Sequence, residues 1–192
     1  ETMKKSIILL LFALSFILCA TTNAFCQSQN LVPNPGFEQK GDDTLAAGWQ
    51  TKAYRGTEVE FTLDEKVHHS GDLAFKARFA EKGGSAMLFP KEKIDQVTPG
   101  QTYNISLWIK AQNLGYSPNF IAPAVRFNFR PTRIQPVPTI DLMAEMKGIL
   151  EWKELSLTSK APADAEEIIL QIMLTKGTIW IDDVTITPID GE

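Results

Sequence analysis

Cysteine and histidine are both scarce in this sequence. The two cysteines are Cys19 and Cys26, and the two histidines, His68 and His69, are adjacent. No further ligand follows the histidines at zinc spacing, and the chain has neither a Gly-x-Ser-x-Gly nucleophile elbow nor a phosphate-cradling glycine loop. We therefore predict that the protein is not an enzyme, with a two-carboxylate glycosidase as the open alternative because that chemistry needs no such motif.

Long apolar runs are also scarce, and the one present lies near the start, over residues 7–20. It follows the basic Met3-Lys4-Lys5 and precedes the small, polar residues 21–24, the order typical of a secretory signal peptide. It is shorter than the roughly 20 residues that span a bilayer. We predict a signal peptide over residues 1–26, with Glu1-Thr2 outside the pattern. Cleavage after Cys26 is favoured over cleavage after Ala24, and a lipid-anchored Cys26 is the lesser alternative.

The remainder, residues 27–192, is expected to form one domain in the periplasm, on the cell surface or in the medium. It contains no cysteine, so its stability depends on a core rather than a disulfide. Without Glu1, Lys4 and Lys5, the 19 basic and 23 acidic residues of the chain become 17 and 22, a net charge of −5. This balance argues against a nucleic-acid partner, which needs a basic face. No second apolar run is long enough for a membrane span.

Short alternating runs dominate these residues and predict an all-β fold, either a sandwich or a barrel. In each run, every second residue is assigned to the row that faces the core. The assigned rows are Leu73, Phe75, Ala77, Phe79; Tyr103, Ile105, Leu107, Ile109; Val125, Phe127, Phe129; Ile168, Leu170, Ile172, Leu174; and Trp180, Asp182, Val184, Ile186.

The residues between the runs favour turns. Glycine, proline, serine and asparagine cluster between the alternating runs, as turn chemistry requires. The proline-rich residues 131–138 predict a loop. Residues 139–147 have the composition of one or two helical turns, ended by Gly148.

Five stretches, in this order and spacing, resemble carbohydrate-binding modules of the family 4, 9 and 22 type. They are Asn-Leu-Val-Pro-Asn-Pro-Gly-Phe-Glu at 30–38 with Gly-Trp at 48–49, His-Ser-Gly-Asp-Leu at 69–73, Pro-Gly-Gln-Thr-Tyr-Asn-Ile-Ser-Leu-Trp-Ile-Lys-Ala at 99–111, Trp-Lys-Glu-Leu at 152–155, and Ile-Asp-Asp-Val at 181–184. The resemblance implies a jelly-roll β-sandwich of two antiparallel sheets, of the galactose-binding-like kind, with glycan binding as its function. One fold serves many functions, so the implication for the ligand is the weaker one.

The resemblance also implies a structural calcium ion held by Glu38 and Asp182. The two acids belong to the first and last motifs, and the first and last strands of a jelly roll lie near each other. Calcium takes six to eight oxygen ligands, so backbone carbonyls near residues 35–36 and 69–70 would complete the set. The alternation assigns Asp182 to the core side, where a buried carboxylate needs a partner. Two solvated acids at strand ends are the alternative.

The outward rows supply a candidate sugar-binding face. Trp108 lies in a polar row, and a sugar needs an aromatic plane for its C–H face together with planar polar groups for its hydroxyls. The expectation holds only if the strands that carry these residues share one sheet. Packing of Trp108 under residues 131–138 is the alternative. The predicted ligand residues are Trp108, Arg126, Asn128, Arg130 and Gln171.

The remaining tryptophans are assigned to the core: Trp49 and Trp152 by the resemblance, and Trp180 by its alternation. Together these features predict a secreted, calcium-stabilised β-sandwich that binds a polysaccharide or oligosaccharide without modifying it. The alternative is a structural or adhesion module of the cell envelope that uses the same fold for protein contacts.

Overall fold

A computed structural model describes residues 29–41, 45–54, 56–117 and 122–189. The predicted signal peptide, its cleavage site and both cysteines lie outside the described residues, so these predictions stay predictions. No helix among the described residues is long and apolar enough to cross a membrane.

Strands make up nearly all of the regular secondary structure of the described chain. They are β1 (Trp49–Ala53), β2 (Val59–Asp64), β3 (Ala74–Phe79), β4 (Ala86–Pro90), β5 (Thr102–Gln112), β6 (Ala124–Arg130), β7 (Thr139–Asp141), β8 (Lys153–Lys160), β9 (Glu167–Leu174) and β10 (Thr178–Ile189), with one helix, α1 (Leu142–Glu145), between β7 and β8.

The strands form two five-stranded antiparallel sheets. The first sheet has the order β1-β4-β9-β6-β7 and the second has the order β2-β3-β10-β5-β8. Strands that are distant in sequence are therefore neighbours, as in β3-β10-β5. This arrangement confirms the predicted jelly-roll β-sandwich of two antiparallel sheets.

The core lies between the two sheets and consists of the predicted alternating rows. Phe75 and Ile109 of the second sheet and Phe127, Phe129 and Ile172 of the first sheet are at most 1% exposed. Because side chains alternate between the faces of a strand, the residues between them point away from the core. Four of the five predicted inward rows are thus confirmed.

The fifth row is half wrong, because β10 contains a bulge. Its pairing with β5 shifts between Asp182 and Thr185, and Asp183 has a positive φ of 48°. An extra residue in a strand reverses the alternation beyond it. Ile179 and Ile181 precede the bulge and face the core with Val184 and Ile186, whereas Trp180 and Asp182 face outward. Trp180 pairs across the strands with Lys76 and Lys110, which lie on the same outer face.

The N-terminal segment lies beside β10 beyond this bulge. The Leu31 N–H donates to the Ile186 carbonyl, and the Val184 N–H donates to the Pro35 carbonyl. The Asn30 side chain adds a bond in each direction, from its Nδ2 to the Val184 carbonyl and from the Ile186 N–H to its Oδ1. The first motif of the resemblance is therefore irregular backbone held against the last strand.

The stretch of residues 139–147 begins as a strand and not as a helix. β7 comes first, and α1 is a single turn whose N-terminus is capped by Asp141, with Oδ1 accepting from the N–H groups of Met143 and Ala144. Gly148 has a φ of 74°, which suits its predicted place after the helix. Residues 131–138 form the predicted loop.

Candidate functional site

Glu38 and Asp182 meet on the same short loop, residues 69–73. The Glu38 carboxylate accepts hydrogen bonds from the N–H groups of Asp72 and Leu73, at 3.1 to 3.2 Å. The Asp182 carboxylate accepts from the N–H groups of His69 at 2.8 Å and Ser70 at 3.2 Å. The two predicted metal ligands therefore both accept hydrogen bonds from the backbone of one loop.

Gly71, between these donors, is required by the closeness of the loop to Glu38. Its φ is 58°, and a Cβ there would stand 2.1 Å from Glu38 Oε1. Any larger residue would push the carboxylate away from the N–H groups that it accepts from. The His-Ser-Gly-Asp-Leu motif is therefore explained by this carboxylate.

Asp182 is fully buried, although it lies on the outer face of the second sheet. The residue 69–73 loop covers it, and its Oδ1 also accepts from the Asp183 N–H at 2.8 Å. Burial raises the pKa of the Asp182 carboxyl above its ordinary value, while the hydrogen bonds from His69, Ser70 and Asp183 oppose that rise. The prediction that this carboxylate points toward the core is wrong, because the bulge in β10 turns it outward under the loop.

Whether a calcium ion fits here depends on how many oxygen ligands the surroundings of Glu38 and Asp182 can offer. A Cβ on Gly36 would lie 3.6 Å from Asp182 Oδ1 and from Asp183 Oδ1, and 3.7 Å from Glu38 Cγ, so three acids surround this glycine. Within the described ranges, however, no three His, Cys, Asp or Glu side chains are arranged to hold a metal. A calcium ion at this place would have to share the Glu38 and Asp182 oxygens with the N–H groups that donate to them and take its remaining ligands from backbone carbonyls.

Trp108 is on β5, in the second sheet, where it pairs with Asp182 and Glu154. The His69 ring stacks on its indole, with the ring centroids 3.7 Å apart and the planes 13° apart. His69 is fixed in turn by its Nδ1, 2.7 Å from Asp183 Oδ2. One face of the Trp108 ring is therefore covered, by His69 and not by residues 131–138.

Arg126, Asn128, Arg130 and Gln171 all lie on β6 and β9 of the first sheet. Because their rows alternate with buried core residues, they face outward on the opposite side of the sandwich from Trp108. The expectation that Trp108 shares a face with them is wrong, since the order of strands puts β5 and β6 in different sheets. The other four residues are brought together.

An open groove crosses the outer face of the first sheet. It consists of two adjoining hollows of about 240 and 190 Å³, which share Arg130, Ile169 and Gln171 as lining residues. Phe89 and Gln50 line the larger hollow, on the β1–β4 side. Arg126, Arg133 and Asn128 are among the residues that line the smaller hollow. We call these two hollows together the groove.

Asn128 lies at the groove but has a structural role. It is 6% exposed, and its Oδ1 accepts from the N–H groups of Ile134 and Phe129, each at 2.8 Å. Its Nδ2 donates to the Ile134 carbonyl at 3.3 Å. These bonds hold the loop of residues 131–138 against β6, so Asn128 shapes the wall of the groove and has little capacity left for a ligand.

Several groove residues were not predicted. Phe89 belongs to the run Ala-Met-Leu-Phe-Pro of β4, in which apolar residues fill both rows and hide the alternation. Lys91, Lys93 and Arg133 lie in turns, where no periodicity assigns a direction. Only the pairing of β4 with β9 could have linked Phe89 to Gln171, and pairing is not visible in one sequence.

A larger hollow of about 550 Å³ lies at one end of the sandwich, beside α1. Its lining is mostly apolar and includes Leu114, Met146 and the exposed side chains of Tyr116 and Leu150. The carboxylate of Asp141 at its border is used to cap α1. It therefore offers fewer available polar groups than the groove.

The tryptophans assigned to the core have three different environments. Trp49 is 5% exposed, and its Nε1 donates to the Asn34 carbonyl at 3.2 Å, so this prediction is confirmed. Trp152 is only partly buried and meets His69 edge-on, so it is not a core residue. Trp180 is 4% exposed but lies on the outer face, where its Nε1 donates to Asp64 Oδ2 at 2.9 Å.

This strand order and groove define the chain as a jelly-roll β-sandwich with a groove on the outer face of one sheet. No known family profile matches the sequence, and no curated protein matches it either. Solved structures do match.

The chain is similar to the enzymatically active domain of tailspike protein 4 from bacteriophage CBA120, with 14% identity and a TM-score of 0.58, covering 83% of this chain and 21% of that one. It is similar to the carbohydrate-binding module TmCBM61, solved with β-1,4-galactotriose, with 16% identity, a TM-score of 0.54 and coverage of 84% and 100%. It is also similar to a CBM4 structure, with 21% identity and a TM-score of 0.52, covering 82% of this chain and 99% of that one. The chain therefore has the jelly-roll fold of carbohydrate-binding modules, and at these identities the likeness shows the fold alone.

Proposed function

We propose that this protein is an exported, non-catalytic module that binds an oligosaccharide or polysaccharide in the groove. The observation that carries the proposal is the composition of the groove: Phe89 and Ile169 supply apolar surface, while Gln171, Arg126 and Arg130 supply planar polar groups beside it. A sugar ring presents an apolar C–H face and a rim of hydroxyls, and these side chains match both.

The fold supports the same proposal, since TmCBM61 was solved with a bound galactotriose. In this chain the groove is open at the surface, so a long polysaccharide can lie across the strands without threading into a closed pocket. Binding of this kind is weak, because hydrogen bonds from the sugar to the protein replace bonds to water with little net gain.

The proposed non-catalytic role needs a direct test, because two acids line the groove. Glycoside hydrolysis needs two carboxyl groups that flank one bond. Glu167 and Glu92 line the larger hollow, and Glu167 lies 3.9 Å from Arg130 as an ion pair. Incubation with each bound glycan, followed by measurement of new reducing ends, tests this: release above a protein-free blank would contradict the proposal.

A calcium ion held by Glu38 and Asp182 is proposed as a structural cofactor. It would lower the free energy of the buried Asp182 carboxylate by supplying an opposite charge. The midpoint of thermal unfolding should rise with calcium and fall with a chelator, because a ligand of the native state stabilises it. Equal midpoints would remove calcium from the proposal and leave glycan binding untouched.

Glycan binding itself is tested with an array of polysaccharides and oligosaccharides. We expect retention of the wild type and loss of retention for Phe89→Ala, with Trp108→Ala as the matched aromatic substitution on the opposite face. Loss in Trp108→Ala alone would transfer the binding site to the second sheet. No binding to any glycan would instead favour a structural or adhesion module.

A further inference from the structure

The groove is basic, although the protein as a whole is acidic. Five cationic side chains line its two hollows, and two acidic residues do so, Glu92 and Glu167. The complete chain has a net charge of −4. The cations are Lys91, Lys93, Arg126, Arg130 and Arg133. The groove therefore carries a net positive charge within an acidic protein.

The arginines of the groove have little internal compensation, as do Arg78 and several lysines elsewhere in the described chain, whereas other lysines are paired. Lys40, Lys76, Lys110 and Lys153 each lie within 3.3 Å of a carboxylate oxygen. Arg130 reaches a carboxylate only at 3.9 Å. In the part of the chain that the structure describes, Arg126 and Arg133 have no carboxylate at ion-pair distance. The positive charges of Arg126 and Arg133 are therefore available to a negatively charged ligand.

The groove is poor in aromatic planes. Phe89 is present, but none of the described lining residues of the two hollows is a tryptophan or tyrosine. Phe89 therefore offers a single aromatic plane on which a sugar ring can stack, and the other groups that could contact a ligand are mostly polar or charged. Guanidinium groups bind planar or tetrahedral oxyanions through paired N–H donors, which makes their hydrogen bonds to anions stronger than those to neutral hydroxyls.

We infer that the ligand of this groove is an acidic glycan, a polysaccharide whose residues carry carboxylate or sulfate groups. This inference rests on the proposed function and names its substrate class. Arg126 and Arg133 bind the anionic groups, while Phe89 and Ile169 contact the sugar C–H faces. The repeating charge of such a polymer matches a groove whose cations extend from Lys91 to Arg133.

The experiment compares four immobilised polymers: polygalacturonate for carboxylates, heparin for sulfates, xylan for neutral glycans, and duplex DNA for a phosphate polyanion. Affinity is measured at about 0.05 and 0.5 M salt, where the screening length differs severalfold. We expect retention on one or both acidic glycans, at least about tenfold weaker binding to xylan, and a loss of affinity at high salt. Comparison of polygalacturonate with heparin shows whether the groove prefers carboxylate or sulfate groups.

The test variants are Arg126→Gln, Arg133→Gln and their combination, and Arg78→Gln is the control that loses the same charge as each single variant. Arg78 is exposed on β3 of the second sheet, so its substitution changes net charge without changing the groove. We expect the double variant to bind the acidic glycan about tenfold more weakly and the control to bind as the wild type. A melting curve for each variant checks that all of them remain folded.

The outcomes separate this inference from the proposed function. Binding to xylan that resists salt and survives the double substitution would overturn the acidic ligand and retain glycan binding. If Arg78→Gln weakened binding to the acidic glycan as much as the groove substitutions did, the effect would be due to net charge alone, and the inferred acidic ligand would be wrong. Binding to DNA as tight as binding to the acidic glycans would overturn it in favour of polyanion binding. No binding to any polymer would remove the proposed function itself.

Discussion

The outer faces of the two sheets are built from the same kind of alternating strand, yet they differ in how their polar groups are satisfied. On the second sheet, Asp182 is covered by a loop that donates backbone N–H groups to it, and Trp108 is covered by His69. On the first sheet, Arg126 and Arg130 line an open groove. These polar and aromatic groups of the second sheet are thus used within the protein, whereas the groove of the first sheet is open to solvent; we refer to the two as the covered face and the open face.

The difference shows that residue type alone does not identify a ligand face. An aspartate, a histidine and a tryptophan on the second sheet look more like a site than two arginines and a glutamine on the first. Their hydrogen bonds and stacking are nevertheless internal. A polar group already satisfied by its own chain gains little from a ligand.

The largest effect is expected from Asp182→Ala. It leaves the N–H groups of His69, Ser70 and Asp183 without their acceptor, which should lower the free energy of unfolding by about 3 kcal/mol. Chemical denaturation measures the change. Glu154→Ala, exposed on the same face, is the control and should change stability by less than about 0.5 kcal/mol. A stable Asp182→Ala variant would contradict the closed character of the second face.

Asp64 provides a second, pH-dependent test of the covered face. Burial would raise its pKa, but hydrogen bonds from Trp180 and Lys76 outweigh burial and hold the pKa of Asp64 well below its ordinary range. A depressed pKa contributes stability above the unfolded-state pKa, and this stability is lost as the pH falls through the folded-state pKa.

Asp64→Asn should therefore destabilise the protein by about 2 kcal/mol at pH 7 and by less with increasing acidity. Unfolding measured from pH 7 to pH 2, with Glu60→Gln on the same strand as the control, tests the sign. A deficit that grows toward acid would contradict the role of Asp64.

Trp108→Ala should cost about 1.5 kcal/mol of stability, because it removes the surface on which His69 stacks. It should leave the affinity for glycan unchanged, since Trp108 is on the face opposite the groove. Unfolding and binding are measured on the same preparation. Weaker binding with unchanged stability would make the second face the ligand face.

Phe89→Ala should have the reverse pattern and the smallest effect on stability. Phe89 is only partly buried on the open face, so its loss changes the free energy of unfolding by less than about 1 kcal/mol. Glycan affinity should fall about tenfold through the lost apolar contact. Phe89→Ala and Trp108→Ala should therefore have opposite effects on stability and on glycan affinity, and parallel effects would contradict the distinction between the two outer faces.

Much of the fold followed from local patterns. The rows around Phe75, Ile109, Phe127 and Ile172 were assigned correctly because period-2 alternation is set by the pleat of each strand. The row in β10 failed at Asp182, where one bulge reversed the alternation. Of the predicted ligand residues, Arg126, Arg130 and Gln171 lie in the groove, Asn128 braces its wall, and Trp108 lies on the other face.

The class of fold, the positions of most strands and the rows that fill the core follow from local sequence patterns, because these features depend on neighbours along the chain. Tertiary structure alone decided which outward rows share a face, since sheet order places β5 and β6 in different sheets. It also decided that Glu38 and Asp182 meet at one loop while Arg126 and Arg133 are left uncompensated. Charge compensation is a property of side chains distant in sequence, and it becomes visible only when the two sheets have been assembled.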